Sequence, residues 1–308
     1  MKRRLFVMFL CLSLLAGCGA PAAPEDGAEY VFTDDLGRTV TVQGHSRVAA
    51  LLGSFAQIWM LAGGEVCATA DDAWEDLGLE LPEAAVNLGN TKELSLENLL
   101  ASQPELILAS ANTRQQLQWR ETLEATGIPV AYFEVSDFAD YLRMLKLCTD
   151  ITGREDLYRK HGLEVQTQID AVLEHSRSRG TAPTVLCMRA SASLITVKNS
   201  EDNVLGEMLR SLGCVNIADS ETSLLENLSI ERILQLDPEY IFIAQRGDDR
   251  EGMVQNVESM MAENPAWLQL TAVKEGRVYY MDKNLYNLKP NHRWGEAYEK
   301  LEEILSHG

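Results

Sequence analysis

The sequence predicts an α/β protein of two Rossmann-like lobes, each with a parallel sheet flanked by helices, joined by a long connecting helix. Two observations carry that prediction. Leu94 to Ser110 (LSLENLLASQPELILAS) recurs 134 residues later at Leu228 to Ala244 (LSIERILQLDPEYIFIA), with seven of the 17 aligned positions identical, where average composition gives roughly one match by chance. Between the copies, from Asp137 to about Arg179, there is helical periodicity and no strand signal. A period this long describes two domains rather than a solenoid of short units. Two similar lobes imply a cleft between them.

The mature domain opens with Tyr30 to Val42 (YVFTDDLGRTVTV), alternating around Asp35-Leu36-Gly37 and therefore a hairpin. Val48 to Leu52 is a strand, Ser54 to Ala62 a helix stopped by Gly63-Gly64, and Val66 to Ala70 a second strand. Each repeat unit reads as a short helix opened by Ser95 or Ser229 as N-cap, a Pro-Glu break, and a buried parallel strand, Leu106 to Ala109 or Tyr240 to Ile243. A helix from Arg114 to Ala125 and a strand from Val130 to Phe133 complete the first lobe. In the connector, Gly153 and Gly162 interrupt a face traced by Leu157, His161, Val165, Ile169 and Val172. The second lobe then runs through strands Thr184 to Met188 and Leu194 to Val197, a helix from Asn203 to Leu212 ended by Gly213, and the second repeat unit. It closes with a strand Arg277 to Met281 and a helix from about Arg293 to Leu305.

The amino terminus assigns a compartment. Lys2, Arg3 and Arg4 precede an apolar run from Leu5 to Leu15, too short to span a bilayer and shaped like a secretory signal. The run ends in Leu15-Ala16-Gly17-Cys18, which resembles the bacterial lipobox, with Cys18 as the lipidated new terminus; secretion without a lipid is the alternative. A small, Pro-rich and acidic stretch follows, suited to tethering. The expected organisation is a signal peptide over 1–17, a lipidated tether over 18–29, an N-terminal lobe over 30–136, a helical connector over 137–180 and a C-terminal lobe over 181–308. Removing 1–17 leaves 24 basic against 46 acidic residues, a net charge of −22. That balance excludes nucleic acid as a partner and disfavours anionic lipid, so the lipid on Cys18 is the expected membrane attachment.

The cysteines within the mature domain, Cys67, Cys148, Cys187 and Cys214, lie singly in apolar stretches and read as packed thiols, although four allow three disulfide pairings. The five histidines are scattered, so no metal cage and no cofactor is expected. There is no GxSxG, Walker A, GxGxxG after a strand, or HExxH. What the chain does supply are polar and basic residues just past its strand ends, where α/β lobes put ligands. These are Ser54, Trp74, Asn112, Arg189, Lys198 and Arg246, with Lys92 just ahead of the repeat helix. Basic groups facing a gap in so acidic a chain form a local site for an anion. Glu97 and Glu231 stand two residues after the paired N-caps. The helix dipole alone favours a carboxylate there by about 0.3–1 kcal/mol; matching placement in both lobes also suits two basic sockets on a partner.

Lipobox, hairpin, two lobes, helical spacer and paired LSxExxL...PE units together resemble the substrate-binding lipoproteins of ABC importers for ferric siderophores, haem and cobalamin. The resemblance spans essentially the whole mature chain. It rests on Asp35-Leu36-Gly37-Arg38 with Val40, the repeat units, Asn203 to Asn216, Leu288-Lys289-Pro290-Asn291 and Trp294-Gly295-Glu296. In that family a glutamate at the start of this helix in each lobe docks to permease arginines, which implies that role for Glu97 and Glu231. It further implies a monomeric extracytoplasmic binding protein, not an enzyme, that hands a metal chelate to an ABC permease dimer with its ATPase. Haem binders of the family offer an axial Tyr or His, for which Tyr286 and His292 are the candidates. The basic set Lys92, Arg189 and Arg246 favours an anionic ferric chelate instead. An exported enzyme using the same cleft and a tethered ligand sensor are the rival readings. The long connector implies small lobe closure.

Overall fold

Two five-stranded sheets and a two-stranded hairpin carry the described part of the chain, residues 29–201 and 203–307 of a computed structural model. The signal segment, Cys18 and all of the tether except Glu29 lie outside the described residues. An antiparallel hairpin of β1 (Tyr30–Thr33) and β2 (Thr39–Val42) comes first. The first sheet is formed by β3 (Val48–Ala50), β4 (Val66–Thr69), β5 (Val86–Asn87), β6 (Leu106–Ser110) and β7 (Val130–Phe133). All its pairings are parallel, in the order β5-β4-β3-β6-β7. The second comprises β8 (Thr184–Ala190), β9 (Ile195–Lys198), β10 (Val215–Asn216), β11 (Tyr240–Gln245) and β12 (Val278–Met281), with β10-β8-β11-β12 parallel.

The parallel sheet expected in each lobe is present, and the second sheet carries one addition, β9, which folds back antiparallel onto β8. Only Ser191 to Leu194 separate these strands, closed by the Ser191 amide donating to the Leu194 carbonyl at 2.8 Å. A parallel crossover needs a dozen residues or more. The connector also differs from a single helix. Helix Phe138–Thr152 stops at left-handed Gly153 (φ 68°), and a second helical stretch runs from Glu155 to Arg179 through a π-helical turn at Arg159–Leu163. Gly162 does not end that stretch. A Cβ there would lie 2.7 Å from Leu142 Cδ1, so the glycine lets the second helix pass close over the first. Helix Arg250–Glu263 was not legible in the sequence: it buries only Met253 and Val257, too thin a stripe to register as a period.

Strand alternation divides the apolar side chains among three clusters. Val48, Ala50, Leu106 and Leu108 of the first sheet share one core with Val185, Cys187, Tyr240 and Phe242 of the second. Tyr141, Leu145, Val165 and Ile169 of the connector and Trp294 and Leu301 of helix Trp294–His307 close that core between the lobes. The opposite faces have their own clusters, Ala49, Ile107 and Ala109 in the first lobe and Leu186, Met188, Ile241 and Ile243 in the second. Period two thus places alternate residues in different cores. All four cysteines of the described chain are free thiols.

The repeat has a physical basis. Ser95 and Ser229 cap their helices by accepting from the amides of Asn98 (3.1 Å) and Arg232 (3.4 Å). Gln103 (φ 49°) and Asp237 (φ 38°), equivalent in the repeat, both take the left-handed conformation that turns the chain into Pro-Glu. Each following glutamate ties down the start of its lobe's first strand: Glu105 accepts from the amide and hydroxyl of Ser46, both at 2.9 Å, and Glu239 from those of Thr184, both at 3.4 Å.

The hairpin is fastened to β7 by buried Asp34. It accepts from the amides of Leu36, Arg38 and Tyr132 and from the Arg38 guanidinium at 2.6 Å. Arg38 also donates to the Val130 carbonyl at 2.6 Å and stacks over the Tyr132 ring at 4.7 Å. Asp34→Ala would leave three amides without their acceptor and take one of two carboxylates from the half-buried Arg38 guanidinium, which also pairs with Glu124. A loss of about 2–4 kcal/mol is expected, checked by urea unfolding of the soluble chain.

Candidate functional site

The carboxyl ends of both parallel sheets open toward each other, and a cavity of about 200 Å³ lies there. From the first lobe it is lined by Asn112, just past β6, and by Val135 and Ser136, past β7. From the second it receives Arg189 of β8, Lys198 of β9, Ala244 of β11 and the start of helix Val204–Ser211. The remaining wall is a strap, Asp282 to Arg293, that leaves β12 and crosses between the lobes, presenting Tyr286, Asn287 and Lys289.

The strap is held to the first lobe by polar contacts. Lys283 Nζ lies 2.6 Å from Asp76 Oδ1 and also meets Asp248 of the second lobe, so one ammonium bridges the two. Burial works against that charge, but the paired carboxylates raise the Lys283 pKa overall. Asn284 donates to the Asp76 carbonyl at 3.2 Å. At the far end Asn291, itself left-handed at φ 54°, donates to the Ser54 carbonyl at 3.0 Å and to Gln57 at 2.7 Å.

The cavity cations are differently placed. Arg189 is half-buried, and its Nε is enclosed without a hydrogen-bond partner. Burial and neighbouring Arg246 both depress its pKa. The Lys289 ammonium sits 5.9 Å over the Phe55 ring, and burial lowers its pKa although Asp72 and Asp140 oppose the shift. Among the described residues no carboxylate forms an ion pair with Arg189, Arg246 or Lys289. Asp72, which accepts from the Gly53 amide at 2.8 Å, is the acid that senses this region. Burial pushes its carboxyl up to about 6, with Asp76 and Asp71 adding to the rise and the Gly53 amide and Lys289 opposing it. Gly53 is required there, since a Cβ would lie 2.5 Å from the Ala73 amide nitrogen.

Four residues expected from the sequence, Asn112, Arg189, Lys198 and Tyr286, thus meet at one cavity. Tyr286 is buried, and its hydroxyl donates to the Ala297 carbonyl at 3.0 Å. Arg246 flanks Arg189 outside the lining. Ser54 is buried at the strap contact, Trp74 is half-buried on helix Asp72–Glu75, and Lys92 is exposed on the loop before helix Leu96–Ala101; none lines the cavity. His292 packs edge-on against His161 with centroids 6.0 Å apart, also outside the lining. Glu97 and Glu231 are exposed in the first turns of the two repeat helices. Lys289 and Asn287 escaped sequence reasoning because they follow no strand directly. The signal present was the segment Leu288-Lys289-Pro290-Asn291 itself, which carries part of the family resemblance and sets a lysine between Leu288 and Pro290.

A family model described as periplasmic binding protein matches residues 48–285. The Fe(3+)-citrate-binding protein YfmC of Bacillus subtilis is 25% identical over 295 residues, covering 91% of this chain and 89% of that protein. Staphylococcus aureus SirA, solved with staphyloferrin B, superposes with a TM-score of 0.70 at 18% identity over 90% of this chain and 98% of its own. A periplasmic haem-binding protein from Pseudomonas aeruginosa gives 0.65 at 21% identity over 83% and 91%. At these identities the two structures share the fold.

Asp72 generates a pH prediction. Its folded pKa of about 6 lies above the ordinary value of 3.8, so its contribution to stability is present at acid pH and is lost as pH rises through about 6. Asp72→Asn retains an acceptor for Gly53 and removes the titration. The variant should match the parent near pH 4 and exceed it by about 1–3 kcal/mol above pH 7. Urea unfolding across that range checks it; a stability difference that does not vary with pH would overturn the assignment.

Proposed function

The chain belongs to the periplasmic binding protein family, and from that premise we propose that it is the extracytoplasmic substrate-binding component of an ABC importer. It captures a ferric siderophore or related metal chelate between its lobes, residues 30–136 and 181–308, and delivers it to a permease dimer coupled to an ATPase. One observation carries this reading: in a chain of strongly negative charge, the interlobe cavity is lined by Arg189 and Lys289, neither ion-paired to a described carboxylate. Burying such cations without acid partners is costly unless an anion arrives to complete them. The relatives support the chemistry, since YfmC is named for ferric citrate and SirA was solved with a siderophore. The activity is capture rather than catalysis. The Tyr286 hydroxyl is already engaged, and the lining joins no nucleophile to a general base among the described residues.

Delivery uses the two repeat helices. Glu97 and Glu231 are exposed and outside the cavity lining, so capture and transport should separate. Replacing both by Arg is expected to leave chelate affinity unchanged while uptake by cells falls at least tenfold, as two charge pairs across the docking surface become repulsive. Normal uptake at normal expression would remove both from the contact.

Anchoring follows from Cys18. Residues 1–17 are removed, the Cys18 terminus is lipidated, and the protein works as a monomer at the membrane surface. No helix of the described chain is long and apolar enough to cross a membrane. Cys18→Ser is expected to move the protein from the membrane fraction to the soluble one; persistence in membranes after a high-salt wash would contradict lipidation.

A further inference from the structure

We propose that the strap is a built-in hinge and latch: when the lobes part it pivots at Asn291, and the ion triad of Asp76, Lys283 and Asp248 is the contact that releases. The inference concerns how the cleft opens and holds whichever ligand the cleft takes.

The two ends of the strap are fastened to the first lobe by different physics. At one end Asn291 is fully buried, and its side-chain amide donates to the Ser54 carbonyl and to Gln57, both on helix Gly53–Leu61. Lys289 lies over Phe55 of the same helix, and Trp294 belongs to the core that the lobes share. Breaking this end would strand buried polar groups and open that core to water. At the other end the contact is ionic and lies at the rim. The Lys283 ammonium reaches Asp76 of the first lobe at 2.6 Å and also meets Asp248 of the second, whose side chain is 76% exposed. Ions parted at such a place regain water, so little free energy opposes their separation. Release therefore falls to the Lys283 end. Hinges lie at element ends that set the chain direction, and left-handed Asn291 (φ 54°) opens the turn Asn291–Arg293.

The two acids of the triad have different parts. Asp248 belongs to the lobe from which the strap leaves, so it stays with Lys283 when the lobes part and keeps the ammonium aimed at the gap. Asp76 is the catch on the opposite side. It ends the segment Asp71 to Asp76, which holds four carboxylates, and Lys283 is drawn to that concentration of negative charge. Asn284 backs the catch by donating to the Asp76 carbonyl at 3.2 Å. The hydrogen bond from Lys283 holds the Asp248 carboxyl below its ordinary range, and the paired acids outweigh burial in raising Lys283. Both groups stay charged in mild acid, so the latch yields to movement of the lobes and not to titration.

The test is double electron–electron resonance on the mature chain carrying Cys18→Ser and Cys67→Ser, with spin labels on Glu97→Cys and Glu231→Cys. These sites are exposed, one on each lobe, and the remaining thiols Cys148, Cys187 and Cys214 are buried. One interlobe distance is expected to dominate in this parent. Lys283→Met and Asp76→Ala should each raise the population at longer distance by about fivefold, as expected for a partly exposed ion pair. The double variant should go no further than either single one, and Lys283→Arg, which keeps the charge, should keep the parent distribution. Asn291→Gly tolerates the left-handed backbone and should instead lower the unfolding temperature more than either latch variant. An unchanged distribution in both single variants, or additive shifts in the double one, would overturn the latch. An Asn291→Gly chain that opens as far as the latch variants with no loss of unfolding temperature would overturn the pivot. Thermal unfolding reports whether each variant is folded; if Lys283→Met is not, Asp76→Ala decides.

Discussion

The apolar core that the lobes share along the connecting helices is the constraint on which the rest depends. Val48 and Leu108 of one sheet and Val185 and Phe242 of the other pack into a single cluster with Leu145, Ile169 and Trp294. Parting the lobes widely would open that cluster to water, at about 5 kcal/mol for each ~200 Å² of apolar surface exposed. The strap adds polar ties across the same gap through Lys283, Asn284 and Asn291. On the proposed reading, a molecule built this way would recognise its ligand with a largely preformed cavity, and selectivity would fall to the few side chains that line it.

The distribution of partners among the cations is then informative. Lys283 bridges Asp76 and Asp248 and is electrically spent on holding the lobes together. Arg38 and Arg179 are likewise committed, to Asp34 and to Glu302. Arg189 and Lys289 differ from these structural cations in burial without a paired acid. Asp72 stands near Lys289 without closing an ion pair, and its raised pKa means that mild acid makes the region more positive. The local field therefore opposes the overall charge of the chain where the sheets face one another.

Much of this was readable in the sequence because it rested on local rules. Period-two burial in Tyr240–Gln245, the Ser N-caps and the stop at Gly153 each follow from a few adjacent residues. Asn112, Arg189 and Lys198 were legible because ligands gather past strand ends. Lys289 was not, since its position depends on a strap whose path is set by distant contacts to Ser54 and Asp76. Ser54 and Trp74 obeyed the strand-end rule, yet the strap and the Gly53 to Ala73 contact occupy that corner of the first lobe. The antiparallel pairing of β9 follows from a link too short for a parallel crossover, five residues between the strands read from the sequence and four in the structure.

The repeat and the cavity follow opposite logics. What the lobes share is a capped helix, a left-handed turn into Pro-Glu and a buried strand, and these put Glu97 and Glu231 at equivalent exposed positions. Such symmetry suits the proposed docking, because a permease dimer presents two like sockets. The cavity cations come from places where the symmetry fails. Arg189 and Lys198 belong to the β8–β9 hairpin, which has no antiparallel counterpart in the first sheet, and Lys289 lies on a strap that follows the second repeat. The first lobe contributes Asn112 and Ser136 instead. On the proposed reading, an anion entering the cavity would meet cations from the second lobe and the strap and neutral groups from the first lobe.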